Sequence, residues 1–408
     1  MQTKQSQQLK KMNEGSIVST WVYSGWYSYE SKRKRKDLGM ILCEVPAEAA
    51  AVYTLNQITA APLQVTKDSI AAEGKIQAVI INSGNANACT GKQGTVDAIS
   101  MQNKVADTFQ LQAHHVAVAS TGVIGEPMPM DKIIPGIENL TLDNGESAAL
   151  DFQEAILTTD TCSKSTCYQI EIDGKTITMA GAAKGSGMIA PNMATMLGFV
   201  TTDANISHSV LQQALREVTD QTFNRITVDG DTSTNDMVLV MASGLADNDE
   251  LTPEHAQWHS FKSMLKQVCE DLAIMIARDG EGATKLIEVQ VEGADNDIDA
   301  GIIAKSVVGS NLVKTMVYGS DPNWGRVMMA IGKSGAKLNP ETIDIALGTN
   351  QLLVQSQPAS YEEEQLVDYL KNEKVVIAIH LHVGNGTGKA WGCDLTYDYV
   401  RINASYRT

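Results

Sequence analysis

The chain has 408 residues, a net charge of −16 and an isoelectric point near 4.9, with 43% apolar and 20% charged residues. This is the composition of a globular protein long enough for two domains and a large core, and its acidity argues against nucleic acid or an anionic membrane as a general partner. No run reaches 18 apolar residues and the first eight residues lack the apolar centre of a signal peptide, so neither a transmembrane helix nor secretion is expected and the cytoplasm is the expected location.

In chain order, an aromatic stretch over 21–29 precedes a basic run, Lys32-Arg33-Lys34-Arg35-Lys36. The run reads as a solvated loop before the first strand rather than a nucleic-acid patch. Residues 77–81 read as a buried strand, followed by a glycine- and asparagine-rich loop and a helix over 94–110. Residues 116–120 read as another short strand. Ser207 is placed to cap a helix that carries Val210, Leu211, Leu215 and Val218 at helical spacing. A longer amphipathic helix is expected over 254–277, with Phe261, Met264, Leu265, Val268, Leu272 and Met275 near one face. Residues 286–292 and 375–382 read as strands. Strand and helix signals alternate throughout, with no internal repeat, so the class is α/β.

Several groups that suggest ligands fail their templates. The six cysteines (43, 89, 162, 167, 269 and 393) form no CxxC pair. Cys162 and Cys167 have zinc-finger spacing at its outer limit, but no second pair follows, so free buried thiols are expected. His380 and His382 fall on one face of a strand by period two, and His114-His115 offers a second pair. Neither has a third ligand at metal spacing in the sequence, so no metal is expected. Residues 229–236 carry aspartates like a calcium loop. Thr234 stands where glycine is needed and Val240 where a bidentate glutamate belongs, which leaves a turn. Residues 384–389 are glycine-rich like a phosphate loop, yet Val383 and Ala390 occupy required positions, which leaves a turn after a strand.

Thr195 stands in Lys184-Gly-Ser-Gly-Met-Ile-Ala-Pro-Asn-Met-Ala-Thr195, which by itself reads as a turn in a glycine-rich loop but also admits a nucleophile. A threonine hydroxyl is a weak nucleophile until a base lies within reach, and its own N-terminal amine can be that base. The amine exists only if the chain is cut between Ala194 and Thr195. With a reference pKa of about 7.7–8.0 it suits proton transfer near neutral pH. Ser120-Thr121-Gly122 follows a strand. By itself this is an ordinary small-residue loop, although a threonine hydroxyl and a glycine N–H there can supply two donors of the kind a tetrahedral oxyanion needs.

Beyond these local readings, the chain resembles the glutamate N-acetyltransferase family, also called ornithine acetyltransferase, of arginine biosynthesis. The resemblance rests on Ile81-Asn-Ser-Gly-Asn-Ala-Asn-Ala-Cys-Thr-Gly91, Ser120-Thr-Gly-Val-Ile-Gly125, Thr158-Thr-Asp-Thr161 and the 184–196 segment. It continues through residues 226–236, Asp279-Gly-Glu-Gly-Ala-Thr284, Gly319-Ser-Asp-Pro-Asn-Trp-Gly-Arg326 and residues 399–408. These keep family order from about residue 37 to the end. Two departures are the residues before 37, where the family has a glycine- and alanine-rich stretch, and Ser163, where proline is usual.

The resemblance implies layered helices and sheets made by a self-cleaving precursor with an N-terminal threonine nucleophile. Residues 1–194 would be the alpha chain and 195–408 the beta chain, with two of each in the assembly. It makes Thr195 the nucleophile, Thr121 and Gly122 the oxyanion pair, and Thr158, Lys184, Glu281, Asn403 and Thr408 further substrate-binding residues. Lys184 suits a substrate carboxylate, Glu281 an ammonium group, and Thr408 implies a C-terminus buried at the site. The implied reaction moves acetyl from N2-acetylornithine through acetyl-Thr195 to glutamate, releasing ornithine. No cofactor is implied, although acetyl-CoA is a second acetyl donor in bifunctional members. Two other readings stay open: an amide hydrolase or aminopeptidase with the same self-made nucleophile, and a non-catalytic glycine-rich metabolite-binding protein.

Overall fold

A computed structural model describes residues 9–12, 17–20, 22–28, 36–190 and 196–405. The chain divides into two compact units. The first comprises residues 1–185, 192–219 and 232–272, and the second 186–191, 220–231 and 273–408. These units are not the two sides of the Ala194–Thr195 bond, since each takes residues from both.

The first unit is built on a ten-stranded sheet. Its axis is the 16-residue strand Leu38–Tyr53. Residues 38–43 of this strand pair with Val22–Tyr27, and residues 48–53 pair with Met237–Ala242. Its register against Lys75–Asn85 shifts between Leu42 and Ala47, around Pro46. Proline cannot donate to a ladder and is tolerated at such a bulge. The run Ala78-Val-Ile-Ile81 is apolar on both faces because both are buried. Val79 and Ile81 join a core with Ala117, Phe199, Leu239 and Met241. Ala78 and Ile80 join a second core with Val118 and with Met101 and Val105, which belong to the helix Gly91–Phe109. Strand Val116–Val123 runs parallel to Lys75–Asn85, and its side faces the same two cores.

Most expected elements of this unit are present, with shifted ends. The long helix starts at Trp258, not 254. Residues 252–257 turn instead, with His255 accepting the Gln257 N–H at its Nδ1. The apolar face is buried except for Met275, which is half-buried. Strand Val22–Tyr27 lies ahead of the basic run, so that run does not precede the first strand. Residues 32–35 lie outside the described residues. Lys36 is not a free solvated cation, because it pairs with Asp151 and with Glu154 at 2.6 Å.

The second unit carries a seven-stranded sheet in the order Ile226–Thr227, Gly386–Cys393, Leu286–Ala294, Lys374–His380, Asp344–Leu347, Asn350–Val354, Gln357–Pro358. Helices Asp297–Val308, Asn311–Tyr318, Trp324–Gly332 and Glu363–Leu370 supply one core with Ile287, Val289, Val291 and Ile377. Alternation sends Glu288, Gln290 and Glu292 to the opposite face.

Two expectations change in this unit. The glycine-rich segment is a turn only up to residue 385. Gly386 and Gly388 lie within a strand, where an added Cβ would come within 2.2 Å of Asn296 and 2.7 Å of Gly301. These glycines serve close approach of the Asp297–Val308 helix. The strand 374–380 stops at His380, and His382 takes a left-handed φ of 55°. The two rings nonetheless stand 3.9 Å apart.

None of the six cysteines forms a disulfide. Cys43, Cys167, Cys269 and Cys393 are buried as expected, while Cys89 and Cys162 are exposed because both sit in loops rather than in strands or helices. Among the described residues, no helix is long and apolar enough to cross a membrane.

Candidate active site

In the first unit, the parallel pairing of strands Lys75–Asn85 and Val116–Val123 sets Ser83 beside Thr121 and Gly84 beside Gly122. Gly122 has φ +131°, and a Cβ there would meet the Gly84 carbonyl at 2.2 Å. Only glycine fits this approach. The loop is held from behind by Asn235, whose Nδ2 donates to Ala86 O at 2.5 Å and to Ser120 O at 2.8 Å. Ser120 Oγ donates to Asn82 Oδ1 at 2.5 Å. Thr121 therefore sits on a fixed backbone and is 9% exposed.

Lys184 ends the strand Lys175–Lys184 and binds two of the expected site residues. Its Nζ donates to Thr158 Oγ1 at 2.6 Å and to Thr121 Oγ1 at 3.2 Å. A hydroxyl that accepts from an ammonium keeps its own proton to donate elsewhere, and it is polarised to do so. The ammonium is anchored by Asp160, 4.0 Å away. Asp160 also accepts from Lys164 Nζ at 2.7 Å, Gly185 N–H at 2.6 Å and Thr158 N–H at 3.0 Å. Burial alone would raise the Asp160 pKa. The charges of Lys184 and Lys164, with these hydrogen bonds, outweigh burial and hold it well below the usual carboxylate range. The carboxylate thus stays ionised and keeps two lysines in place.

A second carboxyl behaves in the opposite way. Asp236 is buried, and burial pushes its pKa well above the usual range against the opposing pull of Ser233 and Lys184. Its Oδ2 has no hydrogen-bond partner. It immediately precedes strand Met237–Ala242, which runs parallel to Leu197–Thr202 with Met237 opposite Leu197. The sequence reads the 229–236 segment, with Asn235 and Asp236, as a turn to which only the family resemblance lends a place close to the active site, and it gives Asp160 and Lys164 no individual role.

In the second unit, Glu281 and Asn403 meet. Asn403 Nδ2 donates to Glu281 Oε2 at 2.7 Å, and Glu281 is 6% exposed. Asn403 lies on the helix Tyr397–Ala404, whose N-cap Thr396 accepts the Tyr399 N–H and donates to Gly282 O at 2.7 Å. The Glu281 backbone is fixed by its N–H to Ser186 O at 3.0 Å. A Cβ on Gly187 would lie 2.3 Å from the Glu281 carboxyl carbon, so that glycine makes room for the carboxylate. Asp229 accepts the Met188 and Ile189 N–H groups at 2.6 and 2.9 Å. The turn that resembled a calcium loop thereby spends its first aspartate on backbone.

Of the expected residues, Thr121, Gly122, Thr158 and Lys184 come together in the first unit, and Glu281 and Asn403 in the second. Ala194, Thr195 and Thr408 lie outside the described residues. The first group can donate hydrogen bonds to a developing oxyanion beside a fixed cation. The second presents a buried carboxylate, suited to a cationic amine.

Known proteins match this chain along its length. A model of the ArgJ family matches residues 25–408. The arginine biosynthesis bifunctional protein ArgJ of Halalkalibacterium halodurans is 62% identical over 400 residues, 98% of this chain and 97% of that protein. A crystal structure of the ArgJ protein from Bacillus halodurans is 65% identical, with a TM-score of 0.51, and covers 52% of this chain and 100% of the solved chain. The ornithine acetyltransferase of Mycobacterium tuberculosis, solved with ornithine, is 32% identical with a TM-score of 0.43 over 46% of this chain and 100% of its own. With both the family model and a close relative spanning nearly the whole sequence, the chain belongs to the ArgJ family.

Proposed function

We propose that this chain cuts itself between Ala194 and Thr195 and then acts as a glutamate N-acetyltransferase of arginine biosynthesis, moving acetyl from N2-acetylornithine to glutamate. The observation that carries the reading is the 62% identity to an arginine biosynthesis ArgJ protein along 98% of the chain. The Bacillus halodurans chain, matched whole by 52% of this one, supports the cut, because a product beginning at Thr195 would hold 214 of 408 residues.

In maturation, Thr195 Oγ attacks the Ala194 carbonyl and the peptide becomes an ester. That shift breaks the C–N bond and frees the Thr195 amine, and water then cleaves the ester, releasing the Ala194 carboxylate and the Thr195 hydroxyl. In turnover, that amine takes the Oγ proton as the hydroxyl attacks the acetyl group of N2-acetylornithine. Thr121 and the Gly122 N–H stabilise the oxyanion. Ornithine leaves with the proton, and the amine of glutamate attacks acetyl-Thr195 to form N-acetylglutamate. Lys184 and Thr158 hold the acidic end of the substrate, and Lys184 orients the Thr121 hydroxyl. Glu281, set by Asn403, receives the side-chain ammonium of ornithine. Thr408 completes the substrate residues.

The scheme needs no metal or cofactor. Acetyl-CoA is the second acetyl donor, in keeping with relatives named bifunctional. Two alpha and two beta chains form the assembly. Six cysteines without a disulfide favour the reducing cytoplasm.

The covalent intermediate provides the test. Rate plots at several fixed glutamate concentrations should be parallel. N2-acetylornithine alone should release one ornithine per site and leave one acetyl mass on Thr195. Intersecting plots with no acetylated fragment after acid quench would replace this scheme with direct transfer.

A further inference from the structure

The His114-His115 pair lacks a third ligand in the sequence, but the fold supplies one. Helix Ala61–Glu73 ends where Gly74 turns left-handed, at φ 73°, leaving Glu73 as its last residue. The chain returns 40 residues later in a single turn, Ala113–His115, just before strand Val116–Val123. His115 Nε2 then lies 3.0 Å from Glu73 Oε2, and His114 Nε2 lies 3.2 Å from Glu73 Oε1. One ligand atom from each of the three residues falls within 4.8 Å of the others, which no other group of three among the described residues achieves.

We propose that Glu73, His114 and His115 bind a divalent transition metal. Bonds of about 2.0–2.2 Å to imidazole and carboxylate place tetrahedral ligands roughly 3.3–3.5 Å apart. The 3.0 and 3.2 Å contacts, one to each oxygen of the Glu73 carboxylate, are close to that edge, and all three ligand atoms lie within 4.8 Å of one another, so side-chain adjustment alone can bring them onto one ion. Two imidazoles and a carboxylate suit zinc, nickel, copper or cobalt, whereas magnesium and calcium prefer oxygen ligands. His114 Nε2 is the second observation. It is shielded from solvent and has no hydrogen-bond partner, its contact with Glu73 lying outside hydrogen-bonding geometry. A metal satisfies that lone pair. The exposed Glu73 side leaves the fourth position to water.

The site is structural rather than catalytic. His115 precedes Thr121 by six residues of extended chain, about 20 Å. A metal there ties the end of one helix to the start of the strand that carries Thr121 and Gly122.

The test uses untagged full-length protein stripped with chelator and titrated with zinc, and with cobalt for its visible spectrum. A competing group in the second unit, His380 and His382 with Asp344 2.7 Å from His382, beside a hollow of about 280 Å³, serves as the control. One equivalent should bind with a tetrahedral cobalt spectrum, and zinc should raise Tm by at least about 2 °C. Glu73→Gln and His114→Ala alter exposed or half-exposed side chains and should retain the fold. Each should weaken zinc at least about tenfold and abolish the Tm rise, with acetyl-transfer turnover unchanged. His382→Ala should leave binding intact. No uptake by the wild-type chain, or uptake lost in His382→Ala and kept in His114→Ala, overturns the proposal.

Discussion

Asn403 donates its side-chain amide to Glu281 Oε2 at 2.7 Å, joining residues 122 positions apart. The contact occupies one carboxylate oxygen and orients the other. A buried carboxylate held in this way is prepared for a cation and poorly suited to a neutral ligand.

Replacing Glu281 by glutamine removes the charge and nearly keeps the shape. Charge-assisted pairing is worth roughly 1.5–3 kcal/mol, so kcat/KM for N2-acetylornithine should fall at least about tenfold. Self-cleavage, which involves no ornithine, should be less affected. Asn403→Asp sets a second carboxylate against the first and should lower kcat/KM further. Unchanged N2-acetylornithine kinetics in fully matured Glu281→Gln would remove the residue from substrate binding.

Thr195→Ala should leave one intact chain without activity, whereas the wild type should separate on a denaturing gel into co-eluting pieces of 194 and 214 residues. N-terminal sequencing of the larger piece should begin at Thr195. Cleavage that persists in the variant would place the nucleophile elsewhere.

Thr121→Val keeps the branched shape and deletes the hydroxyl that Lys184 polarises. Loss of one oxyanion donor costs about 10²–10³ in turnover. Maturation and acetyl transfer should both slow by that order, and Thr121→Ser should restore much of the loss. Wild-type rates in both assays would exclude Thr121 as a donor.

Burial pushes the Asp203 carboxyl up to about 6, against an opposing hydrogen bond from the Thr178 N–H at 2.8 Å. Its unfolded value is about 3.9. The folded state therefore holds the proton more tightly. The stability contributed is fully present below about pH 4 and is lost as pH rises through about 6. The difference at pH 8 amounts to roughly 3 kcal/mol. Asp203→Asn keeps an oxygen for the Thr178 N–H, so it should raise Tm relative to wild type at pH 8 and much less at pH 4. A Tm difference that does not change with pH would show that Asp203 carries no such linkage.

Much of this protein was legible along the chain. Strands over 77–81, 116–120 and 286–292 follow from local alternation and apolar runs, because the period of side chains is set by the backbone itself. The motif around Lys184 and Thr121 was legible as residues, since close backbone approach demands glycine at positions such as Gly122. What only the tertiary structure decided was which distant groups meet. Strand pairing brings Lys184 to Thr121 and Thr158, and Asp160 to two lysines. A helix end and a return turn carry Glu73 to His114 and His115. Gly386 and Gly388, which resembled a phosphate loop, turned out to serve helix packing. Neighbouring cations separate Asp160 from Asp236 in the same way: both are buried aspartates in polar motifs, yet one is held ionised by lysines and the other is pushed toward its neutral form by burial. A carboxyl's charge state depends on its neighbours in space, and a linear pattern records only its neighbours in the chain.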